Sequence, residues 1–309
     1  MQTTLRSAVS FAGVGLHSGQ MVRATVRPAS AEYGIWFRRV DVTDMDSMIR
    51  ASWDAVAPSQ LCTRIENLAG VSVSTIEHLM AALAGCGIHN ALIEIDGPEV
   101  PILDGSSAQF VSALLSRGVR RMPAPVRAFK ILQTVEVRDG DAVARMDPSD
   151  NFEIDFRIQF DDTVIGTQAL SMSMANGAFV HELCDSRTFC RNVDVDTMQA
   201  NGLALGGTLE NAVVFDGARV LSPGGLRHRD EAVRHKMLDA MGDLALATRP
   251  ILGRYSGVRA GHALTNKLMR RLFANPQAYR LVMCDMVIAA KLPGFGVGRA
   301  DIAGLPKAA

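Results

Sequence analysis

Nine residues in the middle of the chain, Phe152-Glu153-Ile154-Asp155-Phe156-Arg157-Ile158-Gln159-Phe160, alternate apolar and polar side chains without a break. On a helix that set would scatter around the axis, whereas on a strand it puts every apolar group on one face. The segment therefore reads as a strand in a sheet with one face on the core and one in water. Residues 21–27 and 91–95 repeat the pattern.

Helical segments interrupt these strands. Residues 74–84 read as a helix with Ser74 as N-cap, Glu77 completing a capping box, and Gly85 and Gly87 ending it. Residues 106–116 read as a second helix. Met122-Pro123-Ala124-Pro125 then breaks all periodicity, so it is the linker expected to divide residues 1–124 from residues 125–309. The second half restarts with strands at 129–137, 142–146 and 152–160, with a turn at Asp139-Gly140. A helix near 175–184, a strand at 212–215 and helices around 235 and over 263–274 follow. Both halves run strands, helix, strands, helix, which makes an α+β chain of two layered sheet-and-helix domains, built on antiparallel hairpins, the expected class.

Composition narrows the function. Lys plus Arg equals Asp plus Glu at 32 each, so nothing points to nucleic acid or a strongly anionic surface as partner. Five cysteines, odd in number and without a CxxC pair, argue against a disulfide framework and fit a reducing cytoplasm. No window approaches the ~20 apolar residues of a membrane span, and the N-terminus has no apolar core of a signal peptide. A soluble, unprocessed cytoplasmic protein is expected.

The chemistry concentrates in Arg-His235-Lys236-Met-Leu-Asp239, where His235 and Asp239 lie four apart and project from one helix face. That is half a metal site, although a lone HxxxD is also common on solvated helices. Asp243 continues the stripe. Residues 77–85 weakly echo residues 234–242, so either two related halves face each other and bring His78 and His235 to one ion, or two Ala- and Leu-rich helices resemble each other by chance. Neighbours on a helix diverge by about 100°, so with His78 on a metal, Glu77 is left free to act as a base. A catalytic zinc needs about three protein ligands and one open position. His78, His235 and Asp239 supply two imidazoles and a carboxylate, and Glu77, His262 and Lys236 are candidates for the proton transfers and the oxyanion. His262 follows Gly261 at a helix start, where it either pairs with Asp243 as an acid or simply caps the helix.

Four motifs in order, GVGLHSG, SVSTIEHLMAALAGCGIHNALIEIDGPEVPILDGSSAQFV, RHKMLDAMGDLAL and GHALTNKL, resemble the LpxC family of UDP-3-O-acyl-N-acetylglucosamine deacetylases, nearly end to end. The resemblance implies two α+β domains with the active site in the cleft between them. It implies zinc on His78, His235 and Asp239, Glu77 as general base, and His262, oriented by Asp243, as general acid. Lys236 would serve the substrate, and Thr188 of Arg187-Thr188-Phe189 the oxyanion. The substrate implied is a UDP-linked acylated N-acetylglucosamine of lipid A synthesis, hydrolysed to acetate and a free amine. Departures from the family bear on the substrate. Cys190-Arg191-Asn192-Val193-Asp194-Val195-Asp196 stands where the family has an apolar stretch lining an acyl channel, and Ala142 stands where a lysine is common. Arg259 is a basic residue for the phosphates. His17 is a candidate for the nucleotide end and Cys62 for the cleft, while His89, His181 and His228 read as packing or surface groups. A paralogous zinc amidase acting on another N-acetylated sugar, and a non-catalytic sugar-nucleotide binder, stay open. So does iron in place of zinc, since such a ligand set takes several divalent ions. A monomer is expected.

Overall fold

The computed structural model describes residues 1–160 and 164–305. Five helices of two turns or more are α1 (Glu77–Gly85), α2 (Ala108–Arg117), α3 (Asn192–Ala200), α4 (Glu231–Ala245) and α5 (His262–Phe273). They pack with two large sheets in an α+β arrangement. The first sheet runs Val9–Val14, Met21–Pro28, Ala91–Ile95, Ile35–Arg39, Met48–Arg50 in space. The second is organised around Ile251–Val258, which pairs in parallel with Phe152–Gln159 and Arg127–Ile131 and antiparallel with Ala142–Asp147. Val135–Asp139, Thr167–Ser173 and Tyr279–Met283 complete it.

The nine-residue alternation is a strand as expected. Phe152, Ile154, Phe156 and Ile158 are all buried, and the polar residues between them are not. Other details differ. The sheets are mixed rather than built only of hairpins, because Ile35–Arg39 also lies parallel to Ala91–Ile95. The expected strand over 129–137 is two, Arg127–Ile131 and Val135–Asp139, since Leu132 turns its amide to the Ala278 carbonyl. The helix expected near 175–184 is a single wide π-type turn, Phe179–Leu183. Ser74 does not cap α1. It bridges to Glu99 as a strand residue, Thr75 takes a left-handed φ of 55°, and the helix opens after Ile76 with no side-chain cap. The Glu77 carboxylate is thereby free for another partner. The Pro-rich segment is tied down, with Met122 and Ala124 buried and hydrogen-bonded to Gln2.

α1 is buried on almost every side, Glu77 and His78 included. It crosses α4 so closely at Gly242 that a Cβ there would sit 2.0 Å from the Glu77 carbonyl oxygen. Only glycine permits that approach. The crossing places polar groups of α1 and α4 against each other above a core that includes Leu79, Leu83, Met237, Leu238 and Met241.

Candidate active site

His78 enters the site from the first turn of α1, while His235 and Asp239 come from one face of α4. His235 Nε2 lies 3.2 Å from Asp239 Oδ1, and His78 Nε2 lies 3.5 Å from the same oxygen. The two rings meet edge to face at 4.9 Å. Among the described residues this trio is the one group of three whose ligand atoms all fall within 4.8 Å of one another. Donors about 2.0–2.1 Å from a tetrahedral ion stand about 3.4 Å apart, close to the two separations measured from Asp239 Oδ1. Asp239 Oδ1 is buried and has no hydrogen-bond partner. His235 Nδ1 donates to the Ser186 carbonyl at 3.0 Å, which fixes the tautomer and leaves the Nε2 lone pair facing inward, as the outer contacts of metal-bound imidazoles do. Burial holds the His78 ring below the usual histidine range, hence neutral. Burial pushes the Asp239 carboxyl up, but His235 and Lys236 outweigh it and keep the group well below the usual carboxylate range. By donor type, spacing and the orphaned oxygen, these residues fit a divalent cation.

Beside the trio sits a carboxylate–imidazole pair. Glu77 Oε1 lies 3.8 Å from His262 Nε2, and Glu77 Oε2 accepts the Thr63 backbone N–H at 3.0 Å. Burial, reinforced by Asp239 and Asp243, pushes Glu77 up to about 7 against the opposing charge of His262. His262 is the first residue of α5 and follows Gly261 in extended backbone. Its Nδ1 donates to Asp243 Oδ2 at 2.9 Å. Burial works against the imidazolium, but Asp243 and Glu77 prevail and raise it to about 9. Asp243 Oδ1 in turn accepts the Thr63 hydroxyl at 2.5 Å. Thr63 thus holds both carboxylates, one through its amide and one through its side chain, and nothing in the sequence pattern marked it.

Of these groups His235, Asp239 and His262 line a cavity of about 700 Å³, together with Lys236 and Thr188. Lys236 Nζ donates to Asp239 Oδ2 at 2.7 Å. His17, Cys62, Ala142 and Arg259 also line it. His17 is set there by Glu99, which accepts the backbone N–H groups of His17 and Ser18 and the Thr75 hydroxyl. Of the polar stretch after Phe189, Cys190 and Arg191 end a short strand and Asn192 onward forms α3 on one wall. Arg191 and Asp194 pair at 2.7 Å, and Val195 and Met198 share the lining with Leu16, Phe189 and Val214. The wall expected to be polar therefore keeps an apolar component. His89, His181 and His228 lie outside the cavity, with Thr3, Asp301 and Asp185 as their respective partners.

The family described as LpxC, UDP-3-O-acyl N-acetylglycosamine deacetylase, matches residues 2–274. A UDP-3-O-acyl-N-acetylglucosamine deacetylase of Phenylobacterium zucineum is 51% identical over 280 residues, covering 91% of this chain and 96% of that protein. Proteins of the same name from Anaeromyxobacter sp. and Shewanella frigidimarina are 46% and 45% identical, over 94% and 95% of this chain and 95% and 97% of theirs. With a match over nearly its whole length, this chain belongs to the LpxC family of UDP-3-O-acyl N-acetylglycosamine deacetylases.

Proposed function

We propose that this protein is the zinc-dependent hydrolase that removes the acetyl group from UDP-3-O-acyl-N-acetylglucosamine in lipid A synthesis. The observation that carries the reading is the buried Glu77–His262 pair, 3.8 Å apart, beside the His78, His235, Asp239 donor set. A zinc ion held by those three residues, or a ferrous ion on the same ligands, supplies Lewis acidity to the amide carbonyl.

The chain's own groups divide the remaining work. Glu77, with an ordinary carboxylate's affinity for protons raised to near neutrality, takes the proton of the attacking water. His262 carries a proton at neutral pH because Asp243 faces its Nδ1, and it delivers one from Nε2 to the leaving nitrogen. The Lys236 ammonium and the Thr188 hydroxyl meet the oxyanion as charge develops. Arg259 is the group for the diphosphate, and Phe189, Val195 and Met198 are apolar surface for the acyl chain. Residues 1–124 and 125–309 are read as two domains with the site in the cleft between them. In support, each large sheet draws its strands from one side of that boundary. A cytoplasmic monomer completes the reading; all five cysteines are free thiols, and among the described residues no helix is long and apolar enough to cross a membrane.

The test is turnover of UDP-3-O-acyl-GlcNAc and of non-acylated and short-chain analogues, with and without a chelator. Chelator-sensitive release of acetate from the acylated substrate alone is the expected result. Turnover restricted to the analogues would replace this reading with an amidase of another sugar, and bound metal without turnover would leave a binder. Glu77→Gln should keep one metal per chain and lose at least 100-fold in kcat, while Asp239→Ala should lose the metal.

A further inference from the structure

A second cavity lies at the C-terminal ends of α1 and α4, and none of its lining residues is shared with the 700 Å³ cavity. It measures about 90 Å³. Leu83 and Ala84 of α1 face Met241 and Leu244 of α4 across it, and Phe152 and Pro293 close other sides. Apart from the His89 ring and the Thr248–Arg249 end its lining is apolar, which suits an apolar guest better than water, since water there would find few of the partners it needs.

The mouth has the opposite character. Thr248 and Arg249 stand at it, and an adjoining smaller groove shares them and continues to Arg50, Arg127 and Glu32. Three guanidiniums there meet one carboxylate. Glu32 pairs with Arg127 at 2.7 Å and with Arg249 at 3.7 Å, and it also accepts the Gln2 amide at 2.9 Å. Arg127 Nε is buried without a hydrogen-bond partner, and among the described residues no carboxylate lies within ion-pair distance of Arg50. Burial and the charges of Arg127 and Arg50 press Arg249 below its usual range. Three positive groups against one negative leave a local excess of two, placed where an aliphatic chain entering the cavity would end. A single guanidinium recognises a carboxylate through two parallel hydrogen bonds, and a second one nearby adds charge.

We propose that this groove and cavity bind a single-chain aliphatic carboxylate, with the chain between α1 and α4 and the carboxylate at Arg249 and Arg127. The site is independent of the deacetylase reading, and its test does not use turnover. The metal-loaded protein is irradiated with pentanoate carrying a diazirine at C4, a chain short enough for the 90 Å³ cavity, and the labelled peptides are mapped by mass spectrometry. Label is expected on residues 79–88 and 241–251, competed by pentanoate and not by butyltrimethylammonium. Affinity should rise about fourfold per added methylene in short homologues and then level off as the cavity fills. Arg249→Ala should weaken binding at least tenfold, and Ala84→Phe, which fills the cavity from α1, should abolish label on both peptides. Label confined to residues 189–209, equal competition by the cationic amphiphile, or binding indifferent to Arg249→Ala would overturn the proposal.

Discussion

At the residue scale the site is a set of proton affinities separated by environment. Glu77 is driven up to about 7 and His262 to about 9. A base must be deprotonated to act and an acid protonated, so kcat/KM should rise with pH through the Glu77 value and fall through the His262 value. A bound divalent cation repels protons from both, moving both limbs to lower pH without exchanging them. The pH profile of kcat/KM checks this, and Asp243→Asn should bring the falling limb down, because the residue facing His262 Nδ1 is then neutral. A falling limb unmoved by that change would remove His262 from the acid's role. Thr63 supplies a sharper case. Thr63→Val keeps the amide that holds Glu77 but leaves Asp243 Oδ1 without its donor. Hydrogen bonds to charged groups contribute roughly 1.5–3 kcal/mol, so kcat should fall about 10- to 100-fold with metal content unchanged. That His235 and Asp239 stand together was legible from helical spacing, whereas His78 was reached only through a weak echo between two helices and a family resemblance. Thr63 was not legible, because its bond to Asp243 spans 180 positions and a threonine carries no spacing signal.

At the element scale the decisive contact is the α1–α4 crossing. Gly242 lies on the buried face of α4 with Glu77 backbone against it. Gly242→Ala would ordinarily favour a helix by about 1 kcal/mol, yet here the methyl meets a carbonyl that cannot rotate away. Overpacking of this kind costs about 1–3 kcal/mol, and it also pries His78 from His235 and Asp239. The expected outcome is a lower Tm together with at least tenfold weaker metal binding, measured by calorimetry and by competition with a chromogenic chelator; an unchanged metal affinity would show that the helices do not set the ligand spacing. The sequence reveals α4 and α5 readily because their apolar residues recur at helical intervals. It conceals Ile251–Val258, the strand at the centre of the larger sheet. Gly253 and Gly257 break its alternation, and the structure explains them: a Cβ would lie 2.6 Å from the Ile131 side chain at one and 2.7 Å from the Phe156 ring at the other. Those glycines are there for neighbours that only the fold supplies.

At the scale of the whole molecule, the donor set joins distant parts of the chain, since His78 lies in the first half and His235 and Asp239 in the second. The question is whether a metal ion holds the halves together or only occupies a place they already form. The packing answers it: Leu79, Leu83, Leu238 and Met241 are buried in one continuous core that spans both halves, and Ser186 and Lys236 already engage His235 and Asp239. A ligand at 100 times its Kd stabilises the folded state by about 2.7 kcal/mol. For a chain of this size each kcal/mol moves Tm by about 2–4 °C. Removing the metal should therefore lower Tm by roughly 5–10 °C while far-ultraviolet circular dichroism at 25 °C stays unchanged, and adding zinc back should restore Tm in proportion to occupancy. Collapse of the helical signal on chelation would mean that the ion, and not the α1–α4 core, is what joins the two halves.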